Sequence, residues 1–343
     1  MTNAASLITR KTDFQRALLG WYRANARALP WREAPSLYKT VVSEFMLQQT
    51  QVKTVLPYFA RWLAEFPNFT SLAAAPEARV LKQWEGLGYY ARARNLHRLA
   101  KALAARPKAP RTAAEWRELP GVGPYTAAAI VSIAFGEAAA CVDGNVVRIL
   151  ARLTADGSKF RDSASAAREL SPLAEALLAR DAPGDHNQAM MELGATVCTK
   201  GSPSCTACPV RVFCSTGPRG HAKKFPRFVP KTIGRRAVVR VWCEYEGKLL
   251  LHRAAPGARR LAELHELPTA EQAGLEAKTV ARGRLLLRRT RAITRWRITE
   301  SIYAWPNKIP ARSPELVWVS PAKLEKVSLS GPHRRWVREI PGR

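Results

Sequence analysis

Four cysteines lie close together just past the middle of this 343-residue chain and could bind a metal. They are Cys198, Cys205, Cys208 and Cys214, in the segment CTKGSPSCTACPVRVFC with the spacing C-x6-C-x2-C-x5-C. Zinc sites usually combine two short C-x2-C pairs across a longer loop or include histidine, whereas four cysteines in one compact loop suit a [4Fe–4S] cluster better. The spacing favours an iron–sulfur cluster, with zinc and a metal-free loop as alternatives. Cys141 and Cys243 stand alone, and we expect ordinary buried thiols there.

Two acidic residues stand in surroundings where a carboxylate needs an explanation. Glu44 is the sole acid between Tyr38 and Phe59, in a run rich in apolar and amide residues. Such a carboxyl is either part of a helix cap, which the neighbouring Ser43 would allow, or a functional group. Asp143 precedes Gly144 and an apolar helical segment, so its simplest structural role is a helix N-cap.

The segment LPGVGPYTAAAI, residues 119–130, predicts a tight turn that opens a helix. Gly121 and Gly123 let the backbone take positive φ and approach a ligand closely, and Pro124 suits the first helical position. The exposed N–H groups at such a helix start can hold a phosphate, which positions the chain on DNA without reading bases. A plain αα-hairpin is the alternative.

The charge of the chain points to a polyanionic partner. The net charge is +28 at pH 7, which most simply indicates nucleic acid, with an inconsequential basic face or an anionic membrane as weaker readings. We find no apolar run long enough for a transmembrane helix and no apolar signal core near residue 1. The expectation is a soluble intracellular protein, so the six cysteines do not indicate a disulfide framework.

Two regions with different spacing of apolar residues predict the domain organisation. Residues 1–215 show apolar residues at helical spacing, broken by short Gly/Pro segments. From residue 236 the pattern alternates, which predicts a hairpin over 237–254 with its turn at Glu246-Gly247 and strands in 284–305 and 316–320. We predict a helical domain over 1–216, a basic linker over 217–235 and a second domain over 236–343.

Taken together, the cysteine spacing and the LPGVG turn resemble those of the iron–sulfur helix-hairpin-helix DNA glycosylases, which include endonuclease III and the adenine glycosylase MutY. The resemblance covers about residues 15–215. It implies a mainly α glycosylase domain with a helix-hairpin-helix and a [4Fe–4S] loop, followed by an α+β Nudix-like domain. In that family the cluster orders a loop that meets DNA phosphates, and Lys200 and Arg211 are suitably placed for that role.

The resemblance also implies roles for individual residues. SEFMLQQT, residues 43–50, is similar to the MutY segment whose glutamate, here Glu44, protonates N7 of adenine. Asp143, followed by Asn145, matches the catalytic aspartate that stabilises or traps the oxocarbenium sugar. Tyr125 stands where endonuclease III carries a Schiff-base lysine, which implies a glycosylase with little strand-cleaving activity. Thymine-mismatch glycosylases of this superfamily can share the tyrosine but lack the glutamate at position 44.

Further matches are implied around the substrate, with core packing as the alternative for each. The base pocket would be formed by Arg27, Trp31, Arg32 and Glu192. The duplex would be probed, and the gap left by the flipped base filled, by Gln49, Leu87 and Tyr89. The phosphate-binding turn would be formed by Gly121, Val122 and Gly123.

The C-terminal part resembles the family less closely. LAELHELP, residues 261–268, is similar to the family's L-x-x-L-W-E-F-P, with His265 in place of tryptophan. The acid-rich signature of Nudix hydrolases is absent, so we expect no pyrophosphatase activity. The lesion-reading Phe-Ser-His segment of the family is replaced here by Ile293-Thr294-Arg295. Thr294 could supply a hydroxyl, but Arg295 could not copy the histidine, which implies altered recognition of 8-oxoguanine.

The sequence therefore predicts a monofunctional adenine DNA glycosylase that acts on duplex DNA containing A:8-oxoguanine or A:G mispairs. An endonuclease III-like glycosylase/lyase for oxidised pyrimidines and a non-catalytic iron–sulfur DNA-binding protein are the alternatives. Glu44 with Asp143 disfavours the second of these, and Tyr125 disfavours the first. We expect a monomer without a membrane partner, located in the cytoplasm if the protein is bacterial.

Overall fold

Residues 2–258, 261–293, 295–311 and 313–340 are described by the computed structural model. The chain forms two compact units. The N unit contains Met1–Ala60, Asn68–Ala73 and Arg98–Pro230. The C unit contains Arg61–Pro67, Ala74–His97 and Lys231–Arg343.

The first two hundred residues are almost entirely helical, as the spacing of apolar residues predicts. The helices are α1 (Asn3–Thr9), α2 (Lys11–Asn25), α3 (Leu37–Leu47), α4 (Val52–Glu65), α5 (Phe69–Ala74), α6 (Glu77–Trp84), α7 (Ala91–Ala104), α8 (Ala113–Arg117), α9 (Pro124–Phe135), α10 (Gly144–Thr154), α11 (Ser163–Leu177) and α12 (Pro183–Thr196). A two-residue strand, β1 (Lys159–Phe160), pairs in parallel with β2 (Arg227–Phe228). Two single 3-10 turns, Cys205–Ala207 and Arg211–Phe213, follow α12 in the cysteine segment.

Helix α10 supplies one side of the main apolar core of the N unit. Val146, Val147, Leu150 and Leu153 recur at the three- and four-residue spacing of one helix face, and all are buried. They belong to one cluster with residues of α2, α11 and α12, including Phe14. The helix that begins at Asp143 is therefore fixed on several sides by apolar packing.

The C unit carries the remaining strands and is of the predicted α+β class. Its elements are β3 (Gly234–Trp242), β4 (Glu244–Tyr245), β5 (Lys248–Arg253), β6 (His265–Glu266), α13 (Ala277–Val280), β7 (Leu285–Ile293), β8 (Trp296–Ala304), β9 (Leu316–Val319), α14 (Pro321–Leu324) and α15 (Gly331–Glu339). One sheet has the order β3-β8-β7, with β3 parallel and β7 antiparallel to β8. In the other, β5 pairs antiparallel with β4, β6 and β9.

The hairpin between β4 and β5 confirms the predicted turn. Glu246 and Gly247 both have positive φ, 47° and 68°, which suits a two-residue hairpin connection. The alternating segment nevertheless divides between two sheets, because β3 pairs with β8 while β4 pairs with β5.

The division into units differs from the predicted domain boundaries. Residues 61–67 and 74–97 belong to the C unit, although the sequence assigns them to the helical domain. Hydrogen bonds and an ion pair join the segment 74–97 to the end of the C unit. The guanidinium of Arg334 donates to both carboxylate oxygens of Glu85, and the Tyr90 hydroxyl donates to the carbonyl of Leu329 at 3.0 Å. No helix among the described residues is long and apolar enough to cross a membrane.

Replacing Arg334 by alanine should destabilise the C unit by about 1.5–3 kcal/mol. Its ion pair with Glu85 is buried, and the substitution leaves Lys82 as the remaining cation beside that carboxylate. The carbonyls of Leu324 and Val327 also lose the guanidinium that donates to them. The midpoint of urea unfolding measures the loss. Arg338→Ala is the control, because its pair with Glu325 is 63% exposed on both sides and is worth less than about 1 kcal/mol. Equal effects of the two substitutions would contradict this account.

Candidate active site

Glu44 lies on α3, a helix whose side chains are mostly buried. The helix is capped by Ser36, whose side chain accepts a hydrogen bond from Lys39 N at 3.2 Å. Ser43 is inside the helix and donates to the carbonyl of Thr40, so the capping explanation for Glu44 is wrong. The Glu44 side chain is 6% exposed, and its Oε2 has no hydrogen-bond partner among the described residues.

Burial dominates the electrostatics of Glu44 and raises its pKa to about 7. Tyr125 and Arg32 act in the opposite direction, and the negative charge of Asp143 adds to the rise. The two carboxyl groups therefore lie close enough to influence one another. A carboxyl with a pKa near neutrality is half protonated at physiological pH, which suits a general acid.

Asp143 is the N-cap of α10, and its carboxylate is held by three hydrogen bonds. Oδ1 accepts from Asn145 N and Val146 N, both at 2.8 Å, and Oδ2 accepts from Asn145 Nδ2 at 2.8 Å. Burial raises the pKa of Asp143 against these bonds and the charge of Arg148. The capping role is thus present, and it fixes the orientation of the carboxylate rather than competing with a role in chemistry.

A buried hydrogen-bond chain joins Asp143 to the cysteine segment. Arg148 Nη2 donates at 2.8 Å to Asn145 Oδ1 and to the carbonyl of Gly194, while its Nε donates at 2.8 Å to the carbonyl of Cys198. Both polar atoms of the Asn145 side chain are therefore hydrogen-bonded, Nδ2 to Asp143 and Oδ1 to Arg148. A Cβ at Gly194 would lie 2.5 Å from Asn145 Cβ, so only glycine fits there.

The predicted hairpin turn joins α8 and α9. Gly121 has φ 76°, and Val122 N donates to the carbonyl of Leu119 at 3.2 Å. Gly123 is the N-cap of α9 and Pro124 occupies its first turn. Both glycines are exposed, and a Cβ on Gly123 would meet no described atom within 4 Å. A ligand can therefore approach this backbone closely.

Tyr125 follows the turn and points its hydroxyl into the region of the two carboxyls. The hydroxyl donates to Met191 Sδ at 3.0 Å. Burial, followed by the charges of Glu44 and Asp143, raises the pKa of Tyr125 well above its ordinary value. Tyr125 is consequently a neutral phenol in this site.

Glu192 on α12 organises two of the predicted pocket arginines. It is 1% exposed and accepts from Arg27 Nη2 at 2.9 Å and Arg32 Nη2 at 3.0 Å. Arg32 also donates to Gln188 Oε1 at 3.0 Å. Burial alone would raise the pKa of Glu192, but the hydrogen bonds and charges of the two arginines outweigh it and hold the pKa below its ordinary value. Glu192 thus holds two arginines that lie 160 or more positions earlier in the sequence.

Trp31 and Gln49, the other N-unit residues predicted to contact the substrate, are not part of this cluster of Glu192 and two arginines. Trp31 is 8% exposed, and its ring packs edge-on against Phe59 with a centroid distance of 5.2 Å. It contributes to the core that surrounds the site. Gln49 follows the end of α3 with φ 54°, a strained conformation for a residue other than glycine.

Leu87 and Tyr89 belong to the C unit and differ in exposure. Tyr89 has φ 48° and is 56% exposed, while Leu87 is 6% exposed. Arg92 donates to the carbonyl of Leu87 at 3.1 Å. Leu87 thus packs in the protein interior, which is the structural alternative raised by the sequence, and its role as a wedge stays a prediction.

The four clustered cysteines line one cavity. Its walls include Cys198, Cys205, Cys208, Cys214, Arg152 and Gly217. Arg152 Nη1 donates to Cys198 Sγ and Gly217 N donates to Cys214 Sγ, both at 3.3 Å. Burial, together with the neighbouring thiols, raises the pKa of Cys208 to about 11. Within the described ranges, no three His, Cys, Asp or Glu side chains form a ready-made metal site.

Lys200 and Arg211 are exposed in the cysteine segment, as the predicted phosphate contacts require. In the C unit, Thr294 lies outside the described residues. Arg295 is exposed, with its guanidinium 5.5 Å from the ring centroid of Trp296. Arg236 lies over the same ring at 4.1 Å. The end of the β7–β8 hairpin therefore presents an aromatic ring between arginines, which the sequence analysis did not identify.

Sequence reasoning also missed Arg148, Met191 and Gly194. A usable signal existed for Arg148, because it lies three residues after Asn145 and shares its helix face. The roles of Met191 and Gly194 depend on α12 packing beside residues more than forty positions away, which no local pattern shows.

Gly194→Ala should destabilise the N unit by about 1–3 kcal/mol, because the new methyl group overlaps Asn145. The urea midpoint checks this. Gly20→Ala on α2 is the matched control, since a Cβ there meets no described atom within 4 Å, and it should be neutral or stabilising. A Gly194→Ala protein as stable as the Gly20→Ala protein would refute the steric argument.

The sequence of this chain is similar to those of known DNA repair proteins. Residues 42–175 match the profile of the HhH-GPD superfamily of base excision DNA repair proteins. The chain is 46% identical over 214 residues to a rat protein named adenine DNA glycosylase, which covers 59% of this chain and 41% of the rat protein. It is 35% identical over 230 residues to an adenine DNA glycosylase of Buchnera aphidicola, covering 66% of this chain and 65% of that protein. The chain thus spans less than half of the rat relative.

Solved structures show the same helical fold. A thermostable thymine-DNA glycosylase is similar with a TM-score of 0.53 and 26% identity, over 62% of this chain and 98% of that one. Endonuclease III in a non-covalent DNA complex has a TM-score of 0.51 and 23% identity, over 61% of this chain and 97% of that one, which shows the fold alone. The helical part of this chain is therefore similar to the HhH-GPD superfamily of base excision DNA repair proteins and to adenine DNA glycosylases.

Proposed function

We propose that this protein is a monofunctional DNA glycosylase that excises adenine paired with 8-oxoguanine or guanine in duplex DNA. The observation that carries the proposal is Glu44, a buried carboxyl with a pKa of about 7 that is influenced by Tyr125 and Asp143. The names of the relatives support adenine as the base.

The two carboxyls would divide the reaction between them. Protonated Glu44 gives its proton to N7 of the adenine ring, so that the base leaves as a neutral molecule. Asp143, with its oxygens fixed by Asn145 and the start of α10, stabilises or traps the positive charge that develops on the sugar. The adenine must leave the base stack first, because its glycosidic bond is out of reach inside the duplex.

DNA would be held mainly through its phosphates. The open backbone around Gly121, Val122 and Gly123 can approach a phosphate, and the net charge of +28 adds general affinity. Lys200 and Arg211 extend the contact along the cysteine segment. Gln49 and Tyr89, with Leu87 after a local rearrangement, would probe the duplex and occupy the gap left by the adenine.

The C unit would recognise the base opposite the adenine. We propose a Nudix-like domain that reads 8-oxoguanine through Thr294 and Arg295, assisted by the arginines around Trp296. The protein would act as a monomer and, if it is bacterial, in the cytoplasm in association with the nucleoid.

A lyase of the endonuclease III kind is disfavoured by the chemistry of position 125. A Schiff base needs an amine, and a phenol hydroxyl cannot form one. A purely DNA-binding role would leave unexplained why two carboxyls are buried beside one another, where their mutual repulsion is unfavourable.

We further propose that the four clustered cysteines hold a [4Fe–4S] cluster. Four thiols that face one cavity, with a guanidinium and a backbone N–H directed at two sulfur atoms, fit an anionic thiolate-ligated cluster. Cys198, Cys205, Cys208 and Cys214 would be the ligands. The bound cluster would order the segment that carries Lys200 and Arg211.

Single-turnover assays on duplexes with A:8-oxoguanine, A:G, A:C and thymine glycol test the proposed activity. Adenine should be released from the first two, and the strand should stay intact until alkali is added. The rate should fall about tenfold per pH unit well above pH 7, because only protonated Glu44 donates. Glu44→Gln should abolish excision while duplex binding survives.

Glu33→Gln is the control for this substitution, because Glu33 is an exposed acid eleven positions earlier. Release of the pyrimidine lesion without adenine would refute the proposal. Normal excision by Glu44→Gln would refute the general-acid role, and equal rates on A:8-oxoguanine and A:G would refute lesion recognition by the C unit.

The purified protein should be brown and contain iron and acid-labile sulfide in about equal amounts. Cys205→Ser should lower the iron content, because it removes one ligand. Cys243→Ser should leave it unchanged, since Cys243 is a buried thiol of the C unit. Elemental analysis and the visible absorption spectrum measure both. A colourless protein that contains zinc would show that the loop binds zinc instead.

A further inference from the structure

Arg152 on α10 is a positively charged side chain in the interior of the N unit. It is 2% exposed, on a helix that otherwise presents mainly apolar residues to the core. Its guanidinium donates six hydrogen bonds, one of them to Cys198 Sγ at 3.3 Å. The other five acceptors, at 2.8–3.3 Å, are the carbonyls of Cys198, Thr199, Lys200, Ala222 and Phe225.

These hydrogen bonds satisfy the donors of Arg152 but do not neutralise its charge. Among the described residues, Arg152 forms no ion pair with an aspartate or a glutamate, whereas Arg240 and Arg334, which are similarly buried, each pair with a glutamate. Arg148 adds a second positive charge, because its Nε donates at 2.8 Å to the same Cys198 carbonyl. A buried charge without a partner is costly, so a negative group is expected beside Arg152.

The cysteine sulfurs are the neighbouring groups that can supply this negative charge. Arg152 lines one cavity together with Cys198, Cys205, Cys208 and Cys214. Binding of a metal converts each ligating thiol into a thiolate. A [4Fe–4S] cluster held by four thiolates is therefore anionic, and it becomes more negative when it takes up one electron.

We propose that Arg152 is a positioning residue that provides the counter-charge for an anionic iron–sulfur cluster bound by the four cysteines. Its hydrogen bond to Cys198 Sγ stabilises negative charge on that sulfur, and this effect is larger for the reduced cluster than for the oxidised one. Arg152 thus raises the reduction potential of the cluster and slows the loss of iron. This inference rests on the proposed cluster and does not depend on which base the protein excises.

The alternative is a purely structural role, in which Arg152 only joins residues 198–200 to residues 222–225. In that case its hydrogen bonds matter and its charge does not. Arg152→Lys keeps the charge but cannot reproduce the planar fork of donors, whereas Arg152→Gln keeps an N–H donor and loses the charge. The two substitutions therefore separate the explanations.

The reduction midpoint of the purified, DNA-free protein tests the proposal, because one electron passes from an electrode to the cluster. Arg152→Gln should move the midpoint to a more negative potential. It should also speed the release of iron to a chelator about tenfold or more, the size of effect usual when a partner of a metal ligand is removed. Arg152→Lys should keep the midpoint close to that of the unmodified protein.

Arg16→Gln on α2 is the matched control. It removes the same charge from a side chain that is 76% exposed, so it should change neither the midpoint nor the release of iron. An unchanged midpoint in Arg152→Gln would overturn the proposal, and so would equal effects of Arg152→Lys and Arg152→Gln. If Arg152→Gln is isolated without iron, Arg152→Lys decides: a bound cluster with the unmodified midpoint supports the counter-charge, and a protein that also lacks iron refutes it.

These measurements do not depend on catalysis, so failures of the two proposals can be told apart. If the unmodified protein carries a cluster and excises adenine but Arg152→Gln keeps its midpoint, the activity and the cluster stand and the role of Arg152 is refuted. If the midpoint shifts as expected but no duplex releases adenine, the role of Arg152 stands and the proposed activity fails. An unmodified protein without iron would overturn both the cluster and this inference.

Discussion

The burial of Glu44 beside Asp143 is the constraint on which the rest of the N unit depends. Two carboxyls in a poorly hydrated place cannot both be ionised without a large cost, so one is held near neutrality. The two carboxyl groups differ in the hydrogen bonds that they accept from the protein. Asp143 accepts three of them as a helix cap, whereas Oε2 of Glu44 accepts none from the described residues. Unequal hydrogen bonding by the protein therefore distinguishes two side chains with the same chemistry.

This division needs Asp143 to keep its place, and several elements contribute to that. Asn145 bonds the carboxylate, Arg148 bonds Asn145, and the same arginine bonds the carbonyl of Cys198. Helix α12 closes the arrangement through Gly194, whose missing side chain leaves room for Asn145. The cysteine segment is thus connected to the Asp143 carboxylate by hydrogen bonds.

The sequence predicted the parts of this arrangement that lie within one segment. Short-range sequence patterns predict the helix cap at Asp143, the glycine turn before Tyr125 and the hairpin at Glu246-Gly247. They also predict that the first part of the chain is helical and the second part contains strands. The acid on an apolar helix was visible as an anomaly, which burial now explains.

Long-range packing accounts for what the sequence did not show. The Met191 sulfur meets a residue 66 positions away, and the sequence of α12 contains no sign of that contact. Residues 74–97 likewise belong to the C unit, where Glu85 forms an ion pair with Arg334, a residue 249 positions later in the sequence. Leu87 shows the same limit, because a leucine at a turn is equally suited to a wedge or to the core until packing is known.

The identity of residue 125 is linked physically to the protonation of Glu44. A lysine at this position would bring a cation beside two carboxyls, and an opposite charge at short range favours the ionised form of both. Glu44 would then lose the proton that the proposed mechanism requires it to donate. A phenol is neutral here, since its own pKa is raised further by burial, and it can accept a hydrogen bond from a carboxyl as well as donate one. In the proposed mechanism, covalent lyase chemistry at position 125 and protonation of the base by Glu44 therefore place competing demands on one residue.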